Sequence, residues 1–91
     1  MPHEEPPSDC WVDVFESDYF MGRRRRLKGP QKLRKLQAKS LIVGPKATVV
    51  ISVYRNNLPS TIKLGANRLV PDLNKSTGAV ILSDIVVESL E

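Results

Sequence analysis

The chain has 91 residues, a formal net charge of +4, and 41% hydrophobic against 5% aromatic content. That length allows one domain with a modest core, since a chain this short withdraws only about 60–65% of its unfolded surface from water. A single cysteine, Cys10, excludes an internal disulfide framework, one cysteine and one histidine (His3) are too few for a structural zinc, and no apolar run reaches the ~20 residues that span a membrane.

Residues 1–9, Met1-Pro-His-Glu-Glu-Pro-Pro-Ser-Asp9, are acidic and proline-rich. They predict a disordered tail ahead of a domain at 10–91. The tail has neither the basic start nor the apolar run of a signal peptide, so a cytoplasmic setting is expected, for a minimal domain or one excised from a longer protein. From 10 to 16 the chain alternates, with Val12 and Val14 facing one way and Trp11, Asp13 and Phe15 the other. Ser17-Asp-Tyr19 is turn chemistry. A second strand is predicted over 23–28, stopped by Gly29-Pro30. Leu33 and Leu36, three apart, predict at most one helical turn within 31–39.

A short buried strand is expected at 40–43, before Gly44-Pro45. The β-branched stretch 47–54 is the clearest strand, with Val49, Ile51 and Val53 on one face. Arg55-Asn-Asn-Leu-Pro59 predicts a turn, 60–64 a strand, 70–78 a loop, and 79–90 one or two closing strands. Val12, Val14, Leu27, Leu41, Val43, Val49, Ile51, Val53, Ile62, Leu64, Val86 and Leu90 are the expected core. Short strands between Gly and Pro turns predict an all-β sandwich or barrel.

Phe15, four residues, Phe20, one residue and Gly22 form a pattern in which one aromatic packs under a hairpin folded back over its sheet and the glycine takes a positive φ. The chain also repeats itself. Each half has a β-branched strand ending in an aromatic (Phe15, Tyr54), a strand closed by Leu27-Lys-Gly29 or Leu64-Gly65, and a Ser-Leu segment at Ser40 or Ser89. This pattern resembles the βγ-crystallin family over about residues 10–91. The resemblance implies two Greek-key motifs packed as a two-sheet β-sandwich, held by Phe15, Phe20, Gly22 and Tyr54, and a non-enzymatic structural or calcium-binding module. The second half departs from the pattern, since the turn after Tyr54 has no second aromatic and no glycine.

The resemblance also implies calcium loops of the form Asn/Asp-Asn/Asp-x-x-Ser/Thr-Ser, each completed by a carbonyl from the opposite hairpin. The first would be Lys35-Leu-Gln-Ala-Lys-Ser40, where both acids are lost and two ammonium groups would repel a cation. The second would be Asp84-Ile-Val-Val-Glu-Ser89. With Glu16 from the facing hairpin, Asp84, Glu88 and Ser89 are the candidate ligands for Ca²⁺ at low affinity or not at all. The alternative is that Asp84 and Glu88 are ordinary exposed strand residues.

Charge is unevenly placed: nine of the fourteen Lys and Arg residues fall between 23 and 39. Arg23, Arg24, Arg25, Arg26, Lys28, Lys32, Arg34 and Lys35, with Lys39 behind them, are candidates for binding nucleic acid or another polyanion, as in a small basic β-barrel. On a strand, alternate arginines face opposite sides, so one of each pair must pair or snorkel over the core side. The competing reading is a solvated edge that resists aggregation and pairs with the acidic tail. Trp11, Tyr19 and Tyr54 suggest either a stacking platform or packing. No nucleophile–base pair, carboxylate pair or phosphate loop appears, so no enzyme and no small-molecule substrate are expected. A protein partner or a parent multidomain protein is.

Overall fold

The computed structural model describes residues 9–55, 57–77 and 81–90. Most of the expected acidic tail therefore lies outside the described residues. Among the described residues the elements are β1 (Trp11–Phe15), β2 (Arg24–Lys28), β3 (Gln31–Gln37), β4 (Ser40–Val43), β5 (Ala47–Arg55), β6 (Leu58–Leu64), β7 (Leu69–Val70), a one-turn helix α1 (Leu73–Thr77) and β8 (Ile81–Ser89). They form two antiparallel four-stranded sheets, ordered β2-β1-β4-β7 and β3-β8-β5-β6. Each half of the chain supplies four strands and lends its third to the other half's sheet: β3 pairs with β8, and β7 with β4. This is the expected two-sheet sandwich of two Greek keys.

The core lies between the sheets and follows strand alternation. Val12 and Val14 of β1, Leu27 of β2, Leu41 and Val43 of β4, and Val49, Ile51 and Val53 of β5 are all buried. Leu64 is buried as well, and Ile62 packs partly buried against the cluster. Alternation breaks in β3 and β8. Lys35 has φ 54°, and this left-handed residue inside β3 shifts the inward face by one position, so that Leu33 and then Leu36 point to the core. That is why apolar spacing of three occurs in a strand, where one helical turn was expected. The paired strand β8 shows the same step, burying Leu82, Ile85 and Val87.

Val86 and Leu90, both expected in the core, therefore lie elsewhere: Val86 is half-buried on the outer face and Leu90 is exposed. The stretch read as loop contains β7 and α1, which bring Val70 and Leu73 into the core. Cys10, Ala38 and Ala47 complete it.

The hairpins of the two keys differ. Arg55 pairs with Leu58, so β5 and β6 run as a regular ribbon to its end, where Asn57 has φ 64°. Tyr54 is 63% exposed, so it does not hold the second key as expected.

Trp11 packs on Gly44 so closely that a Cβ there would lie 2.8 Å from two indole carbons and 2.9 Å from the Asp9 carbonyl oxygen. The Gly44 N–H meanwhile donates to the Trp11 carbonyl at 2.8 Å. Gly44→Ala should cost about 1–3 kcal/mol through overpacking, measured as a fall in the urea midpoint with the single tryptophan as reporter; an unchanged midpoint would refute the contact.

Candidate functional site

The loop between β1 and β2 spans residues 16–23, since Phe15 pairs with Arg24. It begins as a ladder, with the Glu16 N–H donating to the Arg23 carbonyl and the Ser17 N–H to Met21, both at 3.1 Å. It then folds over the outer face of its own sheet. Phe15 and Phe20 meet edge-on, with ring centroids 5.7 Å apart and an interplanar angle of 70°. Tyr19, Phe20 and Gly22 all take positive φ, at 53°, 62° and 81°. For the two aromatics that conformation is strained by about 1–3 kcal/mol each. It is held from outside the loop: the buried Ser40 hydroxyl donates to the Ser17 carbonyl at 2.6 Å and accepts from the Phe20 N–H at 3.0 Å. The Tyr19 N–H reaches across to the Pro71 carbonyl at 2.8 Å.

The candidate calcium ligands are not gathered. Glu16 is an exposed residue of the first hairpin, while Asp84, Glu88 and Ser89 lie along β8. At about 3.4 Å per residue, Asp84 and Glu88 stand roughly 13 Å apart along the strand. Asp84 sits opposite Arg34, 3.9 Å from its Nε. Among the described residues no three His, Cys, Asp or Glu side chains come together. Ser40 opens β4 whereas Ser89 closes β8, so the two serines are not counterparts and residues 84–89 are strand rather than a loop preceding one.

The connection that does face the first hairpin is the one after β7. There Asp72 and Asn74 line a cleft of about 260 Å³ with Asp18, Ala38 and Lys39. Sequence reasoning missed this pair. The available signal was Asp72 three residues before Lys75, whose N–H donates to Asp72 Oδ1 at 3.0 Å as at a helix start.

The basic residues are brought together. β2 is the edge of one sheet and β3 the edge of the other, joined by Gly29-Pro30. Arg24 and Arg26 face outward from β2 beside Asp13. Arg26 forms a bidentate pair with Asp13 at 2.7 and 3.0 Å, Arg24 approaches it at 3.7 Å, and the Arg26 guanidinium lies 4.2 Å above the Trp11 ring. The hydrogen bond to Asp13 raises the Arg26 pKa above its ordinary value; desolvation opposes this and the Asp13 charge adds to it.

Arg25 takes the core side opposite Val14 and stays exposed at a rim cleft shared with Leu36 and Gln37 of β3. It is thus Arg23 and Arg25, not Arg24 and Arg26, that snorkel. Among the described residues Arg23, Arg25, Lys28, Lys32, Lys35 and Lys39 carry no ion pair.

The aromatics form no common platform: Trp11 is covered by Arg26, Tyr19 sits on the hairpin, and Tyr54 lies on the opposite sheet. Cys10 is buried, its Sγ 3.9 Å from the Glu88 carbonyl oxygen, and His3 lies outside the described residues. No helix among the described residues is long and apolar enough to cross a membrane.

A solved βγ-crystallin domain, representing the evolution of the eye-lens fold, aligns with a TM-score of 0.74 at 19% identity, covering 99% of this chain and 96% of that one. The fold is that of a βγ-crystallin domain. The βγ-crystallin-like sandwich also matches IPSE/alpha-1 from Schistosoma mansoni eggs, with TM-score 0.66 and 14% identity over 87% of this chain and 84% of that one. Abundant Perithecial Protein from Neurospora crassa matches with TM-score 0.69 and 17% identity, over 93% of this chain but 42% of that protein. At these identities the likeness is one of fold. No family model matches the sequence, and no curated protein does.

Ser40→Ala would leave the Phe20 N–H and the Ser17 carbonyl without their partner. The expected loss is about 1–3 kcal/mol, read by chemical denaturation; a variant as stable as the parent would show that the hydroxyl does not hold the hairpin.

Proposed function

We propose that this domain is a non-enzymatic βγ-crystallin-like structural or calcium-binding module whose calcium sites are weak or lost. The reading rests on the segment 35–40, the end of β3 and its short connection to Ser40 at the start of β4. Its acid positions are occupied by Lys35 and Leu36, its hydroxyl position by Lys39, and its closing serine is engaged by the hairpin backbone. A cation placed there would meet the ammonium groups of Lys35 and Lys39 where the pattern supplies carboxylate and hydroxyl, with Asp18 and Asp72 lining the same cleft as Lys39. Metal that binds only the folded state stabilises it in proportion to occupancy. At millimolar calcium, calorimetry should therefore give a melting shift below about 4 °C, corresponding to under ~1 kcal/mol in a domain of this size. A rise of about ten degrees or more, reversed by chelator, would overturn it.

A second reading is favoured by the cations of β2 and β3 that lack acidic partners. On this reading the shared edge binds a polyanion through screened charge, not shape-specific contacts. Filter binding to a mixed nucleic-acid pool should show affinity that falls at least tenfold between about 50 and 200 mM salt, as counterion release requires. Absence of retention at low salt would remove this reading.

A further inference from the structure

We propose that the open edge of the sandwich between β6 and β7 binds a small amphiphilic carboxylate, its alkyl chain between the sheets and its head on Arg68. The two edge strands are unequal. β6 runs for seven residues and β7 for two, so one sheet stops short of the other's inner face. The space left is a cleft of about 390 Å³. Ile51 and Ile62, opposite each other on β5 and β6, form one wall with Leu64, while Val70 and Leu73 belong to the other.

Arg68 reaches this cleft for a reason of register. The Val43 N–H donates to the Arg68 carbonyl at 2.8 Å, continuing the ladder in which Leu41 pairs with Val70. Residues opposite each other in such a ladder share a face. Arg68 therefore starts on the inward side with Val43 and Val70, and it lines the cleft while remaining exposed. Among the described residues no acid lines the cleft with it, and Arg68 forms no ion pair. Asp72, next in sequence to Leu73, lines a different cleft and accepts from the Lys75 N–H.

The lining selects the occupant. Apart from Arg68 it is apolar, with no hydroxyl, amide or carboxylate side chain among the described residues. A sugar or a metal ion would find no partners there. One guanidinium beside an apolar slot complements one anionic head on an apolar body, and its planar fork matches a carboxylate. The volume sits near the low end of ligand pockets, about 300–1,000 Å³. At ~30 Å³ per water-sized group it holds roughly a dozen, so a medium-chain acid fits and a long-chain lipid overfills it. The site uses neither the segment 35–40 nor the cations of β2 and β3, so it stands apart from both readings above.

The test is a methyl-NMR titration of the whole chain with octanoate, 1-octanol and octylamine. Octanoate should shift the Ile51 and Ile62 methyls saturably, with a Kd on the order of 100 µM, within the range that small ligands reach. Octylammonium, whose head repels Arg68, should bind at least about fivefold more weakly. Arg68→Gln should weaken octanoate by about fivefold and leave 1-octanol unchanged, with the melting curve unaltered. Arg68→Glu should reverse the preference, so that octylammonium binds more tightly than octanoate.

The proposal fails if millimolar octanoate leaves those methyls unmoved, or if octylammonium matches octanoate on the parent chain. It fails equally if Arg68→Gln weakens octanoate and 1-octanol alike, or neither. Methyl shifts that follow the protein's own concentration, with nothing added by octanoate, would place a second copy in the cleft and overturn it as well.

Discussion

With its side chain fully withdrawn from solvent, Ser40 engages two backbone groups of a hairpin twenty or more residues earlier, donating to Ser17 and accepting from Phe20. The loop cannot hold its shape by local preference. Tyr19 and Phe20 both sit in a backbone region that aromatics avoid, so the fold must supply the difference. It does so through Ser40, through the Pro71 carbonyl that accepts from Tyr19, and through the Phe15 ring beneath. Those three partners come from β4, from the segment after β7 and from β1, all of one sheet. Local strain at the hairpin and assembly of that sheet are therefore one event.

The second key solves the same problem with less material. At its turn Asn57 takes positive φ, and Tyr54 and Leu58 on either side of it are exposed. What the ribbon lacks in packing it compensates at its free edge. Pro59 opposes Tyr54, and a residue without an N–H can occupy such a pair only where its backbone faces away from β5. Pro59 and Lys63 thus blunt β6, while the two-residue length of β7 offers no template. On the other side of the sandwich β2 and β3 carry cations, so each of the four edges discourages pairing with another chain by its own means.

Legibility in the sequence followed the range of the interactions. Phe15, Phe20 and Gly22 lie within eight positions of one another and specify a local turn, so the first hairpin could be read directly. Alternating Val49, Ile51 and Val53 fixed β5 for the same reason. β3 was hidden because one left-handed residue, Lys35, converts alternation into a spacing of three, and nothing short of the pairing with β8 requires lysine to adopt that conformation. The matching step in β8 moved the core from Val86 to Ile85 and Val87. The candidate calcium loop at 84–89 failed on register: a serine after two acids fits the pattern, but Ser89 pairs with Ala47 in the middle of a sheet. Asp72 and Asn74 face the first hairpin only because the third strand of the second half joins the first half's sheet, a long-range fact that composition does not carry.

That exchange of third strands also sets the order in which the chain becomes safe. β3 leaves the ribosome some forty-four positions ahead of β8, the strand it pairs with. During synthesis it is an unsatisfied ribbon in the presence of other nascent chains, the situation in which β proteins aggregate. Like charge at Lys32, Arg34 and Lys35 disfavours pairing of this strand with its own copies. The charge on the surface of the finished domain is thus also the charge that separates unpaired copies of β3.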